Sequence, residues 1–123
     1  MTVQVEIVLK GRDFAVTEDL DVAHPGGGFA ADDGAVRDLL VKILRAIARA
    51  EDPASPADRD VVLQGFSWIV EPFDAPAGNV VIDIEIPMGA AVAGPLSAVQ
   101  AELDETLTRV LWTERRDRMG TVH

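Results

Sequence analysis

Apolar and polar residues alternate over the first part of the chain. Every odd position from Val3 to Leu9 is valine, isoleucine or leucine, and a side-chain period of two predicts a half-buried strand. A turn around Gly11 follows, where glycine tolerates a positive φ. The alternation then resumes as far as Val22, although Glu18 falls on its apolar side. The pattern predicts a β-hairpin over residues 2–22 with an irregular second strand.

A second pair of strands is predicted in the other half of the chain. Residues 61–70 alternate once a bulge is placed at Gly65, which puts Val61 and Leu63 on the side of Val70. Residues 80–86 alternate without interruption. The Pro- and Gly-containing segments 71–79 and 87–94 are predicted to be loops.

Each strand pair precedes a segment with apolar residues at helical spacing. The first helix is predicted after a cap at Asp32 or Asp33 and ends before Pro53. The second is predicted to begin at Pro95, or after a capping box formed by Ser97 with Gln100, and its apolar stripe comprises Leu96, Val99, Leu103, Leu107, Val110 and Leu111. The order ββαββα predicts a single α+β domain over residues 1–123. We expect a two-layer sandwich: a four-stranded, mainly antiparallel sheet with both helices on one face.

Composition and charge exclude several functions. Of the 123 residues, 21 are acidic and 11 basic, which gives a net charge of −10. This charge repels phosphate, so we expect no nucleic-acid partner. The absence of cysteine removes disulfides and thiolate chemistry. We expect a cytoplasmic protein, because the first residues lack a signal-peptide pattern. The longest uncharged stretch, residues 86–101, is shorter than the ~20 residues of a membrane helix and is interrupted by proline and glycine.

No motif identifies catalytic residues. The run Gly26–Gly28 precedes a helix but lacks the lysine and hydroxyl of a phosphate loop, and Asp32 and Asp33 follow it. The two histidines, His24 and His123, do not form a metal-binding pattern, so neither a metal nor a cofactor is expected.

One candidate site lies on the sheet face opposite the predicted helices. Glu6, Asp83 and Glu85 fall on this side and would hold a cation or act as an acid/base pair if their strands were neighbours. The alternative interpretation is a solvated sheet face kept polar for solubility. The same face also carries Val8, Ile69 and Val81. A mixed face of this kind is also typical of a surface that binds a partner.

Two further sets of residues are candidates for binding. Lys42, Arg45 and Arg49 follow one stripe of the first helix, where they would attract an acidic partner or a second copy of the chain. Aromatic residues would line a pocket between the sheet and the helices, namely Phe66, Trp68 and Trp112. Aromatic side chains at such positions more often serve packing.

Three functions from different classes remain open. We favour a non-catalytic protein-interaction module that associates with itself as a homodimer, through a sheet edge or a helix. The first alternative is a small-molecule-binding protein or enzyme with a pocket between sheet and helices. The second is an acidic inhibitor or immunity-type protein that neutralises a basic partner, for which net charge is the argument.

Overall fold

The computed structural model describes residues 2–22, 28–56, 58, 60–74 and 79–120, apart from the side chains of residues 74 and 117–120. Five strands and two long helices follow in the order ββαβββα. The strands are β1 (Thr2–Leu9), β2 (Ala15–Asp21), β3 (Ser67–Asp74), β4 (Asn79–Ile86) and β5 (Gly89–Ser97). The long helices are α1 (Asp33–Glu51), which a short 3₁₀ turn at Phe29–Ala31 precedes, and α2 (Gln100–Gly120).

The five strands form one antiparallel sheet in the order β2-β1-β5-β4-β3. The α+β class and the N-terminal hairpin are therefore confirmed, and the prediction of four strands is wrong. The missing strand is β5, which lies in the middle of the sheet and begins inside the segment that was predicted to be a loop. Its turn from β4 consists of Pro87 and Met88 alone, since Ile86 pairs with Gly89.

The sequence did not predict β5 because the strand is rich in small residues, which serve packing there. Ala91 and Ala93 are buried under the helix layer, with exposed fractions of 2% and 0%. A Cβ atom at Gly89 would lie 2.3 Å from the main-chain oxygen of Val8 on β1. The alanines and the glycine let neighbouring elements approach β5 closely, which bulky strand-forming residues would prevent.

The boundaries of β3 also differ from the prediction. The strand begins at Ser67 and continues to Asp74, whereas the sequence predicted a strand over 61–70 and a loop from residue 71. Gly65 does adopt a positive φ of +79°, but in an irregular segment before the strand. Leu63 is buried in that segment and Val61 packs against the core, as their side of the pattern predicted.

The helices follow the predicted apolar stripes more closely. The Asp32 side chain caps α1 by accepting a hydrogen bond from the Ala35 amide over 2.8 Å. Helix α2 starts at Gln100, later than Pro95, so Leu96 belongs to β5 and Val99 is 66% exposed. Buried residues of both helices and of the odd-numbered positions of β1 form one core, which places the two helices on the same face of the sheet.

Glu18 is the charged residue that interrupted the apolar side of β2. It faces the helix layer at the edge of the sheet, where it forms an ion pair with Arg49 of α1. The irregularity in the pattern therefore marks a contact that ties the edge strand to the helix.

A second ion pair joins the two helices and predicts a specific response to acid. Arg109 donates from Nε and Nη2 to Asp33, with distances of 2.9 and 2.7 Å to Oδ1, and this hydrogen bonding lowers the pKa of Asp33. A depressed carboxyl pKa stabilises the fold above the unfolded-state value of about 3.9, and the contribution is lost as pH falls through the folded-state pKa.

We expect Asp33→Asn to lower the free energy of unfolding at neutral pH by a small amount, because both side chains are largely exposed. The difference from the wild type should shrink as the pH falls below the unfolded-state pKa and disappear once the pH is below the lowered pKa of Asp33 in the folded protein. Urea titrations across pH would measure it, with Asp13→Asn, in the β1–β2 turn, as control. A difference that persists in acid would contradict the role of the ion pair.

No helix in the described part of the chain combines the length and apolar composition needed to cross a bilayer.

Candidate interaction surface

The sheet face that the helices leave uncovered is the main candidate site, and we call it the outer face. Because side chains alternate along each strand, those that do not face the core point to the outer face. Four large apolar residues are between 42% and 57% exposed on it: Val8, Ile69, Phe73 and Val92. Several large apolar side chains exposed on one face of a protein are typical of an interaction site.

The charges of the outer face have one sign. Its carboxylates come from four of the five strands: Glu6, Asp19, Asp21, Glu71, Asp83 and Glu85. None of the five strands contains a lysine or arginine. In contrast, α1 and α2 together hold eight of the 11 basic residues, so the helix layer is close to neutral. The negative charge of the protein is therefore concentrated on the sheet.

The three carboxylates predicted to form a site are not all neighbours. Val92 of β5 pairs with Glu6 on one side and with Asp83 on the other. Two strand spacings, about 10 Å, therefore separate the Cα atoms of Glu6 and Asp83. Asp83 and Glu85 are adjacent outward positions of β4. Among the described residues, no three His, Asp or Glu side chains come together as a metal site.

The geometry around Val92 gives the outer face a defined relief. Ala90 and Val92 form an apolar floor along β5, which we call the β5 trough. Val92 lies between Glu6 of β1 and Asp83 of β4, and Ala90 lies between Val8 of β1 and Glu85 of β4. A shallow cavity of about 370 Å³ adjoins the trough. Its lining includes Ser67, Ile69, Asp83, Glu85, Ala90 and Val92. No described lysine or arginine forms an ion pair with the three carboxylates beside the trough.

The predicted cationic stripe of α1 is bonded to its own chain. Arg49 pairs with Glu18, and Lys42 pairs with Asp38 over 2.9 Å and also donates to the main-chain oxygen of Asp21. Arg45 donates to the main-chain oxygen of Asp58 over 3.4 Å. The stripe therefore holds α1 against β2 and against the segment after the helix. Its role in binding a partner stays a prediction.

The three aromatic residues of the predicted pocket lie apart. Phe66 lines a cavity of about 370 Å³ together with Leu63, Leu111 and Arg115. Trp68 faces the core from β3 and borders the cavity beside the trough. Trp112 lies on α2, is 58% exposed and lines neither cavity. The structure does not bring the three into one of these cavities.

Both edge strands carry features that disfavour pairing with a further strand. On β3, the main-chain oxygen of Val70 accepts a hydrogen bond of 2.9 Å from the Gln100 side chain, and Pro72 has no N–H. On β2, the main-chain oxygen of Asp21 accepts from Lys42, and three of the seven residues of the strand are acidic: Glu18, Asp19 and Asp21. Charge, proline and covering side chains are common protections of sheet edges.

The sequence predicted two of the four large apolar residues that are exposed on the outer face. Val8 and Ile69 were assigned to the outer face, but Val92 and Phe73 were missed because their segments were interpreted as loops. Val81, the third predicted member, is on the face but only 9% exposed. His24, Gly26 and Gly27 lie outside the described residues, whereas Gly28 precedes the 3₁₀ turn with a positive φ of +102°.

Comparison with models of known protein families, with curated proteins and with solved structures finds no match for this chain.

Proposed function

We propose that the protein is a non-catalytic protein-interaction module that binds its partner through the outer face. The observation that carries the proposal is the uncovered sheet face, on which Val8, Ile69, Phe73 and Val92 are exposed. These side chains expose apolar surface to water. A bound partner that buries this surface would gain roughly 25 cal/mol of free energy per Å². The carboxylates of the face keep two outer faces apart by charge repulsion while no partner is bound.

Photo-crosslinking inside the native cells tests the proposal. A photoreactive amino acid at Val92 should form a defined adduct with one protein, whereas the same amino acid at Ala54, exposed after the end of α1, should not. Mass spectrometry would identify the partner, and the purified pair should bind in solution. Equal adducts at both positions, or none at Val92, would overturn the assignment of the surface.

A small-molecule-binding protein is the alternative that the cavities suggest. Thermal-shift measurements against a library of metabolites and divalent metals separate the two functions, because a ligand that binds only the folded state raises Tm with its concentration. We expect no specific rise. A reproducible increase of several degrees with one compound, abolished by Arg115→Ala beside the Phe66 cavity, would favour the small-molecule function.

We also propose that two copies associate through α2. Trp112 is the large apolar residue exposed on the described part of this helix, and the helix layer lacks the charge excess that sets two outer faces apart. Sedimentation velocity at increasing protein concentration should show a dimer in both low and high salt, and Trp112→Glu should leave a monomer. A wild-type monomer up to hundreds of micromolar would reject the dimer.

The same carboxylates that favour a protein partner disfavour nucleic acid. We therefore expect no shift of DNA or RNA in gel assays near physiological salt.

A further inference from the structure

We propose that the partner of the outer face is a basic amphipathic helix of another protein, lying along the β5 trough. This inference rests on the proposed function and adds the chemistry and shape of what is bound. It combines three observations: the apolar floor of the trough, the carboxylates beside it and the length of the outer face along β5.

The cross-section of the trough matches one face of a helix. Val92 lies between Glu6 and Asp83 in the paired register, so an apolar strip has a carboxylate on each side about one strand spacing away. An amphipathic helix has the complementary section, with an apolar stripe and long side chains on both flanks. Lysine or arginine on those flanks would reach the carboxylates, and their aliphatic stems would cover Val8 and Ile69.

The outer face along β5 is also long enough for a helix, and the trough occupies part of its length. Strands of eight or nine residues, such as β1, β4 and β5, span about 25–30 Å, which a helix of about 18 residues matches at 1.5 Å per residue. The shallow cavity between Ser67 and Ala90 would receive one large apolar side chain of the helix. An extended peptide is disfavoured because both sheet edges carry the protections described above.

Charge decides between a basic partner and a second copy. Two outer faces would bring twelve carboxylates together without one basic residue between them. A partner with lysine and arginine neutralises the same groups, and oppositely charged surfaces also associate faster.

A designed peptide tests the inference directly. The probe is a synthetic helix of about 18 residues with a leucine stripe, lysine on both flanks and alanine behind. One control peptide has the same composition in an order that destroys the stripe, and a second replaces lysine with glutamate. Fluorescence anisotropy should give a micromolar Kd for the probe and at least tenfold weaker binding for both controls.

Two protein variants with the same change in net charge locate the site. Glu6→Gln/Asp83→Asn/Glu85→Gln should weaken binding of the probe about tenfold or more, since charge steering and contacts are both lost. Glu102→Gln/Asp104→Asn/Glu105→Gln changes exposed carboxylates of α2 and should change Kd less than about twofold. Circular dichroism would establish that both variants are folded.

Three results would overturn the inference: no binding of the probe, equal binding of the rearranged peptide, or equal effects of the two variants. If crosslinking at Val92 still yields a partner, the protein remains an interaction module and only the class of partner is wrong. A crosslinked adduct with the mass of two chains would identify a second copy instead. If Val92 crosslinks neither another protein nor a second copy, the proposed function itself is wrong.

Discussion

Gly89→Ala is expected to lower the free energy of unfolding by about 3 kcal/mol, as an overpacking change against main-chain atoms. The added Cβ would lie 2.3 Å from the Val8 oxygen and 3.0 Å from the Leu9 Cα, at the start of the β1–β5 ladder. Main-chain atoms cannot rotate away as a side chain does, so the two central strands must separate. Urea titration monitored by circular dichroism would measure the loss.

Gly34→Ala is the matched control for this change. A Cβ at Gly34 meets only the Asp32 side chain, at 3.4 Å, and alanine has the higher helix propensity. We expect its unfolding free energy to stay within about 0.5 kcal/mol of the wild type or to rise. A Gly89 variant as stable as the Gly34 variant would contradict the close contact between β5 and β1.

Thr106→Val is expected to cost about 1–3 kcal/mol, although the two side chains have nearly the same shape. Thr106 is the buried polar residue of the described core, with 1% exposure. Its Oγ1 lies 2.5 Å from the Ala30 oxygen and 3.0 Å from the Glu102 oxygen, and it accepts a 3.3 Å hydrogen bond from Arg109. Valine removes this link between α2 and the 3₁₀ turn. The main-chain oxygen of Ala30 then loses the hydroxyl as a hydrogen-bond partner.

Thr106→Ser separates the contribution of the hydroxyl to stability from that of the methyl group. Serine keeps the hydrogen bonds and loses one buried methyl, worth about 0.8 kcal/mol. The expected order of stability, from chemical denaturation, is therefore wild type, serine, valine. A valine variant that is more stable than the serine variant would show that packing outweighs the hydrogen bonds.

The parts of the fold that depend on local patterns could be predicted from the sequence. The odd-numbered residues of β1 and the stripe of α1 are periodic, and Asp32 has a capping role that depends on residues three positions away. Even the exception was informative, because Glu18 marked the edge of the sheet. These features require no knowledge of distant contacts.

The central strand could not be predicted because its residues are suited to contacts with elements that are distant in sequence. Gly89 and Ala91 have low strand propensity, and their advantage is the close approach of β1 and the helix layer. That advantage is visible only when the neighbours are known. The candidate site shared this problem, since the position of β5 determines both the exposure of Val92 and the distance between Glu6 and Asp83.

The place of β5 in the sheet has a consequence for how the chain folds. Val5 pairs with Ala93, so strands from opposite ends of the sequence meet at the centre, and β5 alone joins the N-terminal hairpin to β3 and β4. Pairings so distant in sequence slow folding, because a long loop must close before they form. During synthesis, the hairpin and α1 emerge with an open strand edge on β1 that stays unpaired until β5 has left the ribosome. We therefore expect slow refolding, and truncations that end before β5 should aggregate.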